Sequence, residues 1–317
     1  MIAIRIVVCP VDFSAATARQ VDLAVDVCRA FGARLVLHHN VTDVSVGAAV
    51  GWMWHAAHDA ISSPESSVDD QLRAVVRRVP DGIDVETCIT RGGAGEAVLA
   101  VCEAAEAGLI VISAHAGKTE DHASIIELLL RHSRQPILAL HDPGEDVVLP
   151  MFVTDDQDEE DRPIQSILVP VSLTGDAHPQ VEVAAELARV VPLWLHLLHV
   201  LEPAADFEGG TPDPAAIWPS LEALVPDDLT GRATVHVTTG DTVPAIVRAA
   251  REMSVACIVM GEHTTVPVKR WLTHDTARAV LHEAPCPVWY VPVAKPAPIS
   301  VERFALSSEK SILWGNV

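Results

Sequence analysis

Residues 6–41 read IVVCPVDFSAATARQVDLAVDVCRAFGARLVLHHNV, and residues 167–201 read ILVPVSLTGDAHPQVEVAAELARVVPLWLHLLHVL. The two align without a gap, Pro10 on Pro170, Ala24 on Ala184 and His39 on His199. A second pair of stretches follows in the same order: VETCITRGGAGEAVLAVCEAAEAGLIVISAH from Val85 and TVHVTTGDTVPAIVRAAREMSVACIVMGEH from Thr234. A unit of this length exceeds a solenoid repeat and reads as two copies of one domain.

Within each copy short β-branched runs alternate with longer Ala-rich helical patterns. In the first, strands are expected at Ala3–Cys9, Arg34–His39, Asp84–Thr90, Leu109–Ser113 and Pro136–Leu140. Helices are expected at Thr17–Phe31, Pro64–Val79, Gly95–Glu106 and Ser124–His132. The second copy repeats the order, with strands near Ser166–Pro170, Leu193–Val200, Thr234–Thr239, Ala256–Met260 and Val288–Val291. Its second helix is weaker, because Thr211–Asp227 holds four prolines. Near-continuous apolar strands separated by helices imply a parallel sheet covered on both faces. The expected fold is α/β: two tandem doubly wound domains, each a five-stranded parallel sheet, with ligands bound at the carboxyl ends of the strands.

The expected division is a first domain over 1–142, an acidic linker over 143–163, a second domain over 164–293 and a tail over 294–317. The linker contains DDQDEED, six acids in seven positions, which repel one another and stay in water. It lacks the Gly turn and ligand spacing of a calcium loop. In the tail, Phe304, Ile312, Leu313 and Trp314 imply docking on its own chain or on a partner.

The chain has 317 residues, about half of them apolar, and a formal charge of −21. That charge argues against nucleic acid and anionic membrane as partners. No apolar run reaches the length of a membrane span, and the start lacks the basic flank of a signal peptide. The six cysteines form no C-x-x-C pair and fall in apolar patterns, as expected of core residues in a reducing cytoplasm.

Val8–Asp12, a strand ending in His-x-Val, Val259-Met260-Gly261-Glu262-His263 and Ala284-Pro285-Cys286-Pro287-Val288 together resemble the universal stress proteins. The first copy carries weaker versions, Ile112-Ser113-Ala114-His115 and Arg134-Gln135-Pro136-Ile137. The resemblance covers both copies and leaves out the linker and tail. It implies an adenine-nucleotide alpha hydrolase-like fold and an intramolecular pseudo-dimer through the last strands, Pro136–Leu140 against Val288–Val291. A homodimer of the whole chain and a protein partner stay open.

ATP-binding members of that family carry Gly-x-x-Gly, a nine-residue spacer, then Gly-Ser or Gly-Thr. Glycines let backbone amides close on phosphates, and the Ser opens a helix whose N-terminus favours anions. The second copy keeps the spacing but not the residues. Gly261 holds the first position, Thr264 the second, and His274-Asp275 stands where Gly-Ser would be, while Ser172 replaces the acid of the first strand. A carboxylate about 4 Å from phosphate costs on the order of 4 kcal/mol at an effective dielectric of 20. Micromolar binding is worth only about 8 kcal/mol in total. This copy therefore reads as having lost an ATP site.

In the first copy the resemblance carries a nucleotide site onto Asp12, Val41, Ser113, Ala116 and Ser124. Ser113 and Ala116 replace the two glycines, and the loop is shorter. Ser124-Ile125-Ile126-Glu127 also reads as a capping box, the more ordinary role for Ser124. Asp12 can likewise cap the turn before Thr17.

Among the fifteen histidines, His55 and His58 would share a helix face with Asp59 adjacent, a pattern suited to Zn²⁺ or Cu²⁺. No further ligand at matching spacing completes it. His38, His39, His196 and His199 lie in buried-strand patterns and are expected to bond backbone. No Gly-x-Ser-x-Gly elbow or complete P-loop is present, and Gly92 and its counterpart Gly240 fit a tight strand-to-helix turn.

The expectation is thus a cytoplasmic, non-catalytic stress-response or ligand-sensing module without a bound cofactor, taking a small molecule. One alternative is an ATP-binding protein using only the first copy, with at most weak hydrolysis. Another is a metal-dependent enzyme centred on His55, His58 and Asp59.

Overall fold

The computed structural model describes residues 4–41, 64–114, 120–141, 165–173, 178–202, 213–261, 270–292 and 313–316. The first copy runs β1 (Ile6–Pro10), α1 (Thr17–Phe31), β2 (Arg34–Val41), α2 (Pro64–Val76), β3 (Val85–Arg91), α3 (Ala94–Ala104), β4 (Leu109–Ala114), α4 (Glu120–His132) and β5 (Ile137–His141). The second runs β6 (Gln165–Pro170), α5 (Pro179–Val190), β7 (Leu193–Leu201), α6 (Pro214–Glu222), β8 (Ala233–Thr239), α7 (Thr242–Glu252), β9 (Cys257–Gly261), α8 (Arg270–Glu283) and β10 (Val288–Val291). A last strand, β11 (Leu313–Asn316), comes from the tail.

Helix α1 shows how local sequence sets these elements. Val21, Ala24, Val25 and Cys28 recur at helical spacing and are buried. Gly32 ends the helix in the left-handed region at φ 61, and its amide bonds to the Cys28 carbonyl. In α6 the prolines act as expected: Pro214 opens the helix, Asp213 caps the Ala215 amide, and only nine residues are helical around Pro219.

All described strands form one sheet, ordered β11-β3-β2-β1-β4-β5-β10-β9-β6-β7-β8. Each copy contributes five parallel strands. The join is antiparallel: β10 pairs with β5 in the register Val288↔Ala139, Trp289↔Leu138, Tyr290↔Ile137. The tail also docks on its own chain, β11 running antiparallel along β3 with Trp314 opposite Cys88.

Alternation along the strands divides the core into two layers, and both run through the join. One holds Leu23, Leu37 and Leu138 with Leu187, Leu197 and Trp289. The other holds Val98, Leu129 and Ile137 with Ile246, Val280 and Tyr290. Trp289 and Leu138 are both fully buried, so the seam is interior rather than a docked surface. Across it Arg278 of α8 pairs with Glu127 of α4.

All six cysteines are free and buried, as the apolar pattern predicts. Burial pushes the Cys28, Cys88 and Cys286 thiols up to about 12 and those of Cys9, Cys102 and Cys257 further, which makes them inert core residues. Among the described residues no helix is long and apolar enough to cross a membrane.

Candidate functional site

In each copy the strand order reverses direction between the first and fourth strands, β1 and β4 or β6 and β9. That is where α/β sheets open a crevice at their carboxyl ends. The ladders are short: β1 and β4 pair only at Val7↔Leu109 and Val8↔Ile110, and β6 and β9 only at Ile167↔Cys257 and Leu168↔Ile258. Beyond those pairs the strands splay, leaving carbonyls in need of donors.

A glutamine on the following helix supplies them. Gln20, 3% exposed, donates from Nε2 to the Pro10 carbonyl at 2.5 Å and the Val111 carbonyl at 3.0 Å. Its counterpart Gln180, also buried, donates to the Pro170 carbonyl at 3.5 Å. The same side chain explains Gly261. A Cβ at that position would lie 2.3 Å from Gln180 Oε1, so the glycine makes room for the amide. Neither glutamine was singled out from the sequence. The signal was available in their identity across the two copies on an otherwise apolar helix face.

Of the residues proposed for the first site, Asp12, Val41 and Ser113 lie at the carboxyl ends of neighbouring strands. Asp12 follows β1, Val41 ends β2 opposite Arg91, and Ser113 lies in β4 opposite Leu140. Ala116 and, in the second copy, Thr264 lie outside the described residues, as do His55, His58 and Asp59. The Asp12 carboxylate accepts from the Ser14 amide at 2.9 Å and the Thr17 hydroxyl at 3.1 Å. It therefore caps the turn into α1, as one of its two readings expected. Between them Phe13 adopts φ 59, and its ring stacks on His39 with centroids 4.3 Å apart.

Ser124 requires a correction. Helix α4 begins at Glu120, so Ser124 stands in its second turn and its amide belongs to the helical ladder. Glu120 and Asp121 favour the earlier start, because acids complement the positive end of the helix dipole. His274 and Asp275 are likewise inside α8, which begins at Arg270.

The histidines divide in two. His39 Nδ1 donates to the Val11 carbonyl and His199 Nδ1 to the Val171 carbonyl, each at 2.8 Å, so these two bond backbone as expected. Burial lowers the His39 pKa, partly offset by that bond and by Asp12. His38 and His196 differ from expectation. His38 Nε2 meets Thr90 Oγ1 at 2.7 Å, Thr90 donates to Asn40 Oδ1 at 2.9 Å, and Asn40 Nδ2 donates to the Gly92 carbonyl at 2.9 Å. Since the Thr90 proton goes to Asn40, His38 must donate from Nε2. Burial then drives its pKa down to about 3. His196 instead faces His236, Nδ1 to Nε2 at 3.1 Å.

At the carboxyl ends of β3 and β8, Gly92 and Gly240 hold φ of 112 and 137, the left-handed region that favours glycine. They form the strand-to-helix turns that their shared position implied. Thr242, opening α7, donates to Glu202, just past the end of β7. An open depression of about 660 Å³ lies at the opposite, amino ends of β1–β3. Its lining mixes Arg5, Arg29 and Arg34 with Asp81 and Asp84. Among the described residues no group of three or more His, Cys, Asp or Glu is placed to hold a metal ion.

The architecture is shared with known proteins. A universal stress protein from Archaeoglobus fulgidus DSM 4304 superposes with a TM-score of 0.64 at 16% identity, covering 93% of this chain and 99% of that one. A protein of unknown function from Pseudomonas aeruginosa PAO1 superposes with a TM-score of 0.58 at 15% identity, covering 92% and 93%. No curated protein matches the chain in sequence. The model of the Universal stress protein family matches twice, over residues 3–141 and 163–292. The chain therefore belongs to the universal stress protein family, with two copies of the family's unit in tandem.

Proposed function

We propose that this protein is a non-catalytic, ligand-responsive stress module that takes no adenine nucleotide in either cleft. The reading divides the chain into domains over 1–142 and 164–293, joined by the acidic linker. The observation that carries it is the engagement of Asp12. The acid that would line a nucleoside pocket in ATP-binding members already accepts from the Ser14 amide and the Thr17 hydroxyl. Two further observations support it. Ser113, Ala116 and Thr264 stand where phosphate-loop glycines would be, Gly261 alone being kept, and Ser124 and Asp275 fall inside helices rather than at their first amides. A small molecule of other chemistry stays within the reading.

Equilibrium dialysis of the whole chain against ATP, ADP and AMP, with and without Mg²⁺, tests it. The expected result is no saturable binding in the micromolar range. Micromolar affinity that Asp12→Ala abolishes would overturn the proposal in favour of a nucleotide site in the first domain.

A further inference from the structure

We infer that His196 and His236 form an open two-histidine site for a borderline divalent transition ion, of the Zn²⁺ or Cu²⁺ class, on the second copy's outer strands. The geometry comes from the β7–β8 register, in which His196 stands opposite Thr234 and Leu198 opposite His236. The two histidines are thus diagonal neighbours on one sheet face, within reach of long side chains. Nδ1 of His196 and Nε2 of His236 lie 3.1 Å apart. Imidazole binds such ions at about 2.0–2.1 Å, so one ion touching both nitrogens would subtend an angle of roughly 95–100°. That is a normal angle between adjacent ligands; the facing nitrogens now point at each other across the hydrogen bond, with ring centroids 5.2 Å apart, so each ring turns by roughly 40° to aim its lone pair at the shared ion.

The equivalent crossing in the first copy shows what has changed. Val36 aligns with His196 and Cys88 with His236, and both are fully buried. Where one copy packs two apolar side chains under a helix, the other presents two half-exposed imidazoles. Water can therefore complete the coordination.

The protons balance without an external base. In the metal-free pair one ring's N–H lies between the rings. When both facing nitrogens ligate, that proton moves through water to the far nitrogen of its own ring, His196 Nε2 or His236 Nδ1. No net proton is released.

Cu²⁺ is the probe, because imidazole sites bind it tightly and it is visible by electron paramagnetic resonance. Trp194 lies two residues before His196 on the same strand face, its Nε1 bonded to Thr234 Oγ1 at 3.1 Å, and reports on the site by fluorescence quenching. The whole chain, purified without a His tag, is expected to bind one Cu²⁺ with a two-nitrogen spectrum. His196→Gln and His236→Gln should each abolish that species while circular dichroism stays unchanged. Trp194→Phe should remove part of the quenching and keep the copper. The double variant of His55 and His58 to Ala should still bind. Copper uptake unchanged in both glutamine variants, or lost only in the His55/His58 variant, would overturn the assignment.

Discussion

The Gln20 side-chain amide stands 3.0 Å from the Val111 carbonyl and closes the gap that opens between the first and fourth strands. One buried side chain thus satisfies two carbonyls that no strand reaches. Replacing Gln20 by Ala leaves both without a donor and opens a small void. The expected cost is about 2–4 kcal/mol. Gln180→Ala, which loses a single 3.5 Å contact, is expected to cost less. Urea denaturation of the two variants checks the order, and equal costs would contradict it.

Trp289 is fully buried in a core layer that includes residues of both copies. Trp289→Ala is expected to destabilise the protein by about 3–5 kcal/mol. Because the layers are continuous through the seam, calorimetry of the native chain is expected to show one transition. Two resolved transitions, with only one shifted by the substitution, would mean the copies melt separately.

Asp26 on α1 has its carboxyl pushed up to about 6 by burial, which outweighs the nearby Arg29 and adds to the repulsion from Asp22. A carboxyl whose folded pKa lies above its unfolded value binds more protons in the native state. Its contribution is most favourable below about pH 4 and is lost as pH rises through 6. Asp26→Asn is therefore expected to raise stability at pH 7–8 by roughly 1 kcal/mol, after discounting for solvent, and to change little at pH 4. Thermal melts at the two pH values decide it.

The tail strand predicts a local effect. Removing residues 311–317 frees the outer edge of β3, whose Glu86–Ile89 backbone pairs with Leu313–Asn316. Hydrogen exchange is expected to speed up at alternate amides of that stretch and nowhere in β8. Unchanged protection would show that the pairing is not formed in solution.

The strands were legible to within a few residues because apolar runs bounded by turns carry that information locally. Ser166–Pro170 and Val288–Val291 illustrate this against the observed Gln165–Pro170 and Val288–Val291. The start of α4 was missed because a capping box at Ser124 competes with acids one turn earlier, and sequence does not rank them. The partners of His38 and His196 were missed for a different reason. Thr90 and His236 become neighbours only once register is fixed across strands distant in sequence. The docking of Leu313–Asn316 on β3 depends likewise on which edge the fold leaves open.

The antiparallel seam between β5 and β10 has an evolutionary consequence. Because the two parallel halves meet head to tail, their strands end at opposite borders of the sheet, and the two crevices open away from each other. In a pair of identical subunits any substitution alters both crevices at once. Here each can drift alone while the shared interior constrains only the seam. That freedom is already recorded in the chain, where Asp12 faces Ser172 and Val36 faces His196 across the same alignment.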